Sequence, residues 1–207
     1  MRMILCWVGM MAIASSCDPK VPIDQIEEAP AVTSADSAYA NIFSKLDGTW
    51  TGTFFIYRDS LPGPKRSGQL EPPDPDFRDL PGVYLSDSLI VTQTYTSETP
   101  FFQTVTIKDY YPESGKTVVS QGVNKVQDGR LWCVVRKPEE TVIHRGVPLN
   151  ERTLIWSRNE IDPQKIEYFR ETVSDSLYTI IGWGYYGGDD PQKMPPFWFT
   201  ATYRRTD

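Results

Sequence analysis

Arg170 stands in a segment whose alternation could carry a charged fork into an apolar interior: Ile166-Glu167-Tyr168-Phe169-Arg170-Glu171-Thr172. A strand's period of two puts Ile166, Tyr168, Arg170 and Thr172 on one face and Glu167, Phe169 and Glu171 on the other. If the Arg170 face points inward, its guanidinium needs a carboxylate partner, from the protein or from a ligand. An Arg fork suits that task, because it can engage both carboxylate oxygens. Trp156, Tyr168 and Trp183 lie on apolar segments and could wall the same pocket. The expected ligand-binding set is therefore Trp156, Tyr168, Arg170 and Trp183, around a small hydrophobic or amphipathic molecule. If the face points outward, Arg170 pairs with surface acids, and the rings fill the core and its rim.

Other reactive residues offer less. The chain has one histidine, His144, which excludes multi-histidine metal sites and disfavours histidine catalysis. Cys133, within Leu131-Trp132-Cys133-Val134, reads as a core thiol. Asp74, Asp76 and Asp79 do not follow calcium-loop spacing, while Glu139-Glu140 and Asp189-Asp190 fall in turns. Nucleophile elbows, phosphate loops, H-E-x-x-H and dinucleotide glycine patterns are absent from the sequence. A carboxylate-based hydrolase would need two acids converging in a cleft, one of them with a raised pKa. The expectation is a non-enzyme with no cofactor and no metal. A net charge of −6 argues against nucleic acid, whose binders displace counterions with a basic surface.

Strands must position these side chains. Ten segments rich in aromatic and β-branched residues run from Thr49 to Arg205: 49–58, 83–95, 101–108, 116–123, 130–137, 141–147, 152–158, 165–173, 176–186 and 196–205. Turn residues separate most of them, Asp128-Gly129 most clearly. The pattern predicts an all-β sandwich or barrel. Ahead of it, Tyr39, Ile42, Phe43 and Leu46 suggest a short helix over 37–46, closed by Asp47-Gly48. Residues 60–82 hold six prolines and form either a cover for one end or a solvated insertion. The Pro- and acid-rich residues 17–36 read as a flexible tether reaching on the order of 25 Å.

The N-terminus resembles a bacterial lipoprotein signal. Met1-Arg2 is basic, Met3–Ile13 is apolar, and Ala14-Ser15-Ser16 leads into Cys17. The apolar run is shorter than the roughly 20 residues that span a bilayer. The resemblance implies removal of residues 1–16, lipidation of Cys17 and attachment to the cell envelope at the periplasmic or outer-membrane face. Ala14 stands where that family usually has Leu. Ordinary cleavage near 12–16, leaving a free Cys17 thiol, is the alternative. With Cys6 removed in the signal and Cys17 acylated, only Cys133 remains, and no intramolecular disulfide is available.

Gly48-Thr49-Trp50, at the head of the first strand after a helical turn, resembles the G-x-W opening of lipocalins and related calycin barrels. The resemblance implies an antiparallel up-and-down barrel of about eight to ten strands over 37–207, with Trp50 plugging the closed end. It also implies an Arg from the last strand lying over the indole, here Arg205 with Arg204 as fallback. The long loop after the first strand matches the family's mouth cover. Ten strands exceed the lipocalin eight, and the family's middle motif is not recognisable. The expected function is ligand binding by a monomeric, membrane-anchored barrel. The alternative is a structural or interaction lipoprotein with a filled barrel.

Overall fold

The structure, a computed structural model, describes residues 21–60, 75–161 and 164–207. The signal segment, Cys17, most of the Pro-rich connection, Asp74 and the side chain of Asp76 lie outside the described residues.

Ten antiparallel strands form one closed ring. They are β1 (Gly48–Asp59), β2 (Val83–Thr99), β3 (Phe102–Tyr111), β4 (Lys116–Gln127) and β5 (Arg130–Arg136), followed by β6 (Thr141–Asn150), β7 (Thr153–Ile161), β8 (Gln164–Val173), β9 (Leu177–Tyr185) and β10 (Phe197–Arg205). Each pairs with its neighbours in sequence, and β1 pairs with β10 to close the barrel, leaving no edge strand exposed. Short turns make the meander possible: Asp128 and Gly129, both at positive φ, reverse the chain between β4 and β5. The helical expectation over 37–46 is corrected to two 3-10 turns, Ser34–Tyr39 and Ser44–Leu46. The apolar spacing there serves packing instead: Phe43 and Leu46 are buried against the lower barrel.

Trp50 is fully buried at that end and its Nε1 donates to the Leu46 carbonyl at 2.7 Å. Arg205, paired with Trp50 in register, lies 4.6 Å above the indole ring. Gly48 has φ +112°, and a Cβ there would stand 2.7 Å from Arg205 Nη1. A side chain at position 48 would thus push the guanidinium off the ring. Arg204 alternates to the outer face and is exposed.

The tether reading is corrected from Val21 onward. Ile23 and Ile26 pack on an outer apolar cluster of Phe102, Val123 and Val134. Lys125, with no exposed surface, donates to the carbonyls of Pro22 (3.2 Å) and Gln25 (2.7 Å). Gln127 Nε2 donates to the Val21 carbonyl at 2.6 Å, and Glu27 pairs with Arg136. Buried Asp36 accepts from the Gly129 amide and from Thr33. Composition alone reads as linker because only two isoleucines anchor the segment. The rest of its hold comes from its own backbone carbonyls and from the specific partners of Glu27 and Asp36, which do not show in composition.

Closure requires β1 and β10 to approach closely at Gly52, where a Cβ would stand 2.1 Å from the Thr202 carbonyl oxygen. Gly52→Ala is expected to lower stability by about 1–3 kcal/mol, the cost of forcing atoms into a packed interior. Urea unfolding measures it, and an unchanged midpoint would mean that the seam has slack.

Candidate functional site

The inward faces enclose a cavity of about 410 Å³. Strand parity sets its lining. Trp50 faces in, so its register partner Arg205 and the alternate residues Tyr203, Ala201, Phe199 and Phe197 take the same side of β10. Tyr203 pairs with Tyr178, and Tyr178 with Val173, which turns Glu171, Phe169 and Glu167 inward on β8. Both acids and Phe169 line the cavity, with Trp156 from β7 and His144 from β6. Gly182 and Gly184 face Phe169 and Glu167 across the β8–β9 pair. A Cβ at Gly182 would stand 2.5 Å from the Phe169 ring and one at Gly184 2.9 Å from the Tyr186 hydroxyl, so these two positions make room for those side chains.

The floor lies towards Trp50. There the Trp156 indole donates to Glu171 Oε2 at 2.9 Å, and Tyr95 donates to Gln93 Oε1 at 2.6 Å. Burial pushes the Glu171 carboxyl up to about 7, against the pull of the Trp156 indole and the neighbouring Tyr178 hydroxyl. Burial likewise raises the Cys133 thiol, which faces this cavity and is thereby unreactive. The Ser120 and Tyr203 hydroxyls, both on cavity-lining residues, find no hydrogen-bond partner among the described residues.

Glu167, nearer the mouth, is held quite differently. His144 Nε2 lies 2.9 Å from its Oε2, Tyr186 donates to Oε1 at 2.7 Å, and Arg158 Nη1 stands at 3.5 Å. Burial would raise this carboxyl, but those partners outweigh it and hold it at about 2. Arg158 is itself buried and bonds Glu160 at 2.8 Å and Glu140 at 3.0 Å. This network fixes the rim of β6, β7 and β8. Across the mouth, Lys137 and Asp109 also line the opening, and burial raises the Asp109 carboxyl against the attraction of Lys137.

Of the four residues expected to bind ligand, Trp156 lines the cavity. Tyr168, Arg170 and Trp183 alternate to the outer face, so their pocket role is corrected. Tyr168 and Trp183 stack there, ring centroids 5.9 Å apart and 7° from parallel. They belong to an outer aromatic cluster with Phe77, Tyr185 and Trp198, in which Phe77 comes from the 3-10 turn Pro75–Asp79 of the long connection. The described end of that connection therefore packs on the barrel's side. Sequence reasoning missed Glu167, Glu171 and the His144 contact. The signal was the four-residue turn between Val173 and Tyr178, which carries the parity of β10 back to β8. Among the described residues, no group of three or more His, Cys, Asp or Glu side chains lies close enough to hold a metal ion.

The raised Glu171 pKa makes stability depend on pH. An unfolded carboxyl ionises near 4.5 and the folded one at about 7, so between those values the folded state keeps a proton that the unfolded state has lost. Stability contributed by the neutral acid is complete below 4.5, declines as pH rises and is gone above about 7. The wild type should lose up to about 3 kcal/mol relative to Glu171→Gln across that window. Urea unfolding of both proteins from pH 4.5 to 8 tests this, and parallel profiles would mean an ordinary, solvated Glu171.

No family model and no curated protein sequence matches the chain. Among solved structures it is similar to Rv2717c from M. tuberculosis, at TM-score 0.50 and 14% identity over 86% of this chain and 100% of that one. A redesigned β-barrel superposes at TM-score 0.36 and 11% identity over 81% of this chain and 97% of that one. The likeness to Rv2717c is one of fold: a closed ten-strand antiparallel barrel.

Proposed function

We propose that this barrel is the ligand-binding domain of an exported, lipid-anchored protein of the lipocalin-like type, taking one small amphipathic molecule into its interior. The observation that carries the reading is the cavity: about 410 Å³, walled mainly by aromatic and aliphatic side chains, with a few polar groups at set depths. A filled interior would suit a purely structural barrel, but here the inward side chains leave room. The binding role rests on this geometry, and the anchor rests on the residues around Cys17.

The two cavity acids invite a hydrolase reading, since one is held ionised and the other is raised to about 7. Spacing speaks against it. Glu167 and Glu171 are four residues apart on one strand, which separates their backbones by about 13 Å, and each carboxyl is held by a different set of partners. Glu167 is moreover occupied by His144, Tyr186 and Arg158. Binding without catalysis accounts better for both.

Lipidation at Cys17 would also orient the barrel. Only three residues separate Cys17 from Val21, so the chain reaches at most about 14 Å between them. Val21 is fixed beside Gln127, at the Trp50 end of β4. The closed end would then face the lipid and the mouth would face away. Cys17→Ser should move the protein from the membrane fraction to the soluble fraction. Unchanged fractionation removes the anchor from the proposal. For the cavity, a neutral polarity-sensitive dye should bind with one-to-one stoichiometry, and native mass spectrometry of protein from its own host should show a co-purifying small molecule. Neither dye binding nor added mass would end the binding reading.

A further inference from the structure

The cavity carries the opposite charge to the one an Arg fork would have supplied. Three carboxyl groups line it, Asp109, Glu167 and Glu171, against one lysine and one histidine. Both basic side chains have acidic neighbours: His144 is in contact with Glu167, and Lys137 acts on Asp109. Glu171 has no such neighbour. Its one oxygen takes the Trp156 indole hydrogen, and among the described residues it forms no salt bridge. A carboxyl so placed is costly unless something compensates it, and among the described residues the groups facing it from the cavity are neutral: Trp156 from β7, Tyr178 from β9, Tyr95 from β2, Tyr203 from β10 and Cys133 from β5. Lys45, Glu151 and Arg152 share a small pocket with Glu171 at the closed end, but Lys45 pairs with Glu151 and Arg152 with Asp175.

We propose that the ligand is an organic amine, its ammonium seated against Glu171 at the cavity floor and its apolar body lying among the rings towards the mouth. This rests on the binding reading above and names the class of molecule. The aromatic faces suit a cation as well as an alkyl chain, because the ring quadrupole attracts positive charge, most strongly when desolvated. Trp156, Phe169, Phe199, Tyr95 and Tyr203 all line the space around or above Glu171. The unpartnered Tyr203 and Ser120 hydroxyls can accept further ammonium N–H bonds. A fatty acid fits poorly: its carboxylate would pass ionised Glu167 and come to rest beside another acid, with no arginine among the described lining residues to receive it.

Amine binding must then be linked to a proton. Below pH 7 the Glu171 carboxyl is neutral, and an incoming ammonium has to displace its proton. The facing tyrosines and Cys133 stay neutral across that range, burial having raised each of them. Affinity should therefore rise about tenfold per pH unit up to about 7 and level off above it.

The test uses three matched probes, octylamine, 1-octanol and octanoate, titrated calorimetrically into the protein at pH 6 and pH 8. At pH 8 octylamine should bind at least about tenfold tighter than octanol, and octanoate weakest. The amine's lead should shrink at pH 6. Glu171→Gln should erase that lead and its pH dependence while octanol affinity stays within about twofold. The wild-type pH series stands alone if the variant folds poorly. Octanol binding as tightly as octylamine, or octanoate binding best, overturns the amine assignment and leaves a binding barrel standing. If none of the three binds, both readings fall.

Discussion

A closed ring of antiparallel strands allows each side chain only one of two sides, and one residue sets the choice for all. Trp50 is that residue. Its indole donates to the Leu46 carbonyl and sits under Arg205, so β1 is fixed with residue 50 inward. Hydrogen-bonded partners in neighbouring strands share a face, and the β1–β10, β10–β9 and β9–β8 registers pass that assignment along to Glu171. A one-residue slip anywhere along this path would exchange the contents of the cavity with those of the outer wall. The site is thus a consequence of the closure, and Gly52 is where the closure is tightest.

The fold was largely legible because its signals are local. All ten strand segments were marked by β-branched and aromatic runs between turn residues, and the meander leaves few ways to arrange them. The site was less legible, for a reason visible in β8. Glu167-Tyr168-Phe169-Arg170-Glu171 carries a ring and a charge on each face. Hydrophobicity cannot choose between such faces, because the outer wall is itself covered by Phe77 and its cluster and wants aromatic residues too. A half-solvated sheet would have announced its inner side by alternation; one covered on both sides does not. Arg170 drew attention as the unusual residue of an apolar strand, whereas the consequential polar residues were the neighbours whose acids looked ordinary.

Residues 21–36 hid for a related reason. Their role is to cover the outer faces of β3 to β5, which they do with two isoleucines and a row of carbonyls accepting from Lys125 and Gln127. A lysine with no exposed surface reads in sequence as a solvated charge. The carbonyls arriving from a hundred residues away, with the nearby Asp24 charge, make its burial tolerable. The barrel is therefore clothed on two sides, by the N-terminal strap and by the turn carrying Phe77, and its inner apolar surface is correspondingly free to serve something other than stability.

That freedom is the argument for function. A barrel selected for stability alone would place leucine or phenylalanine at 171, as at the neighbouring inward position 169, since a buried acid destabilises the fold at neutral pH. Glu167 shows how this protein neutralises an acid it needs for structure: with histidine, tyrosine and arginine in contact. Glu171, two repeats of the pleat deeper on the same strand, receives one indole hydrogen and no salt bridge among the described residues. Two acids on one face, one fully compensated and one not, differ in what completes them. On the amine proposal, the compensation missing from the second is a positive charge that the bound molecule brings along the aromatic cavity.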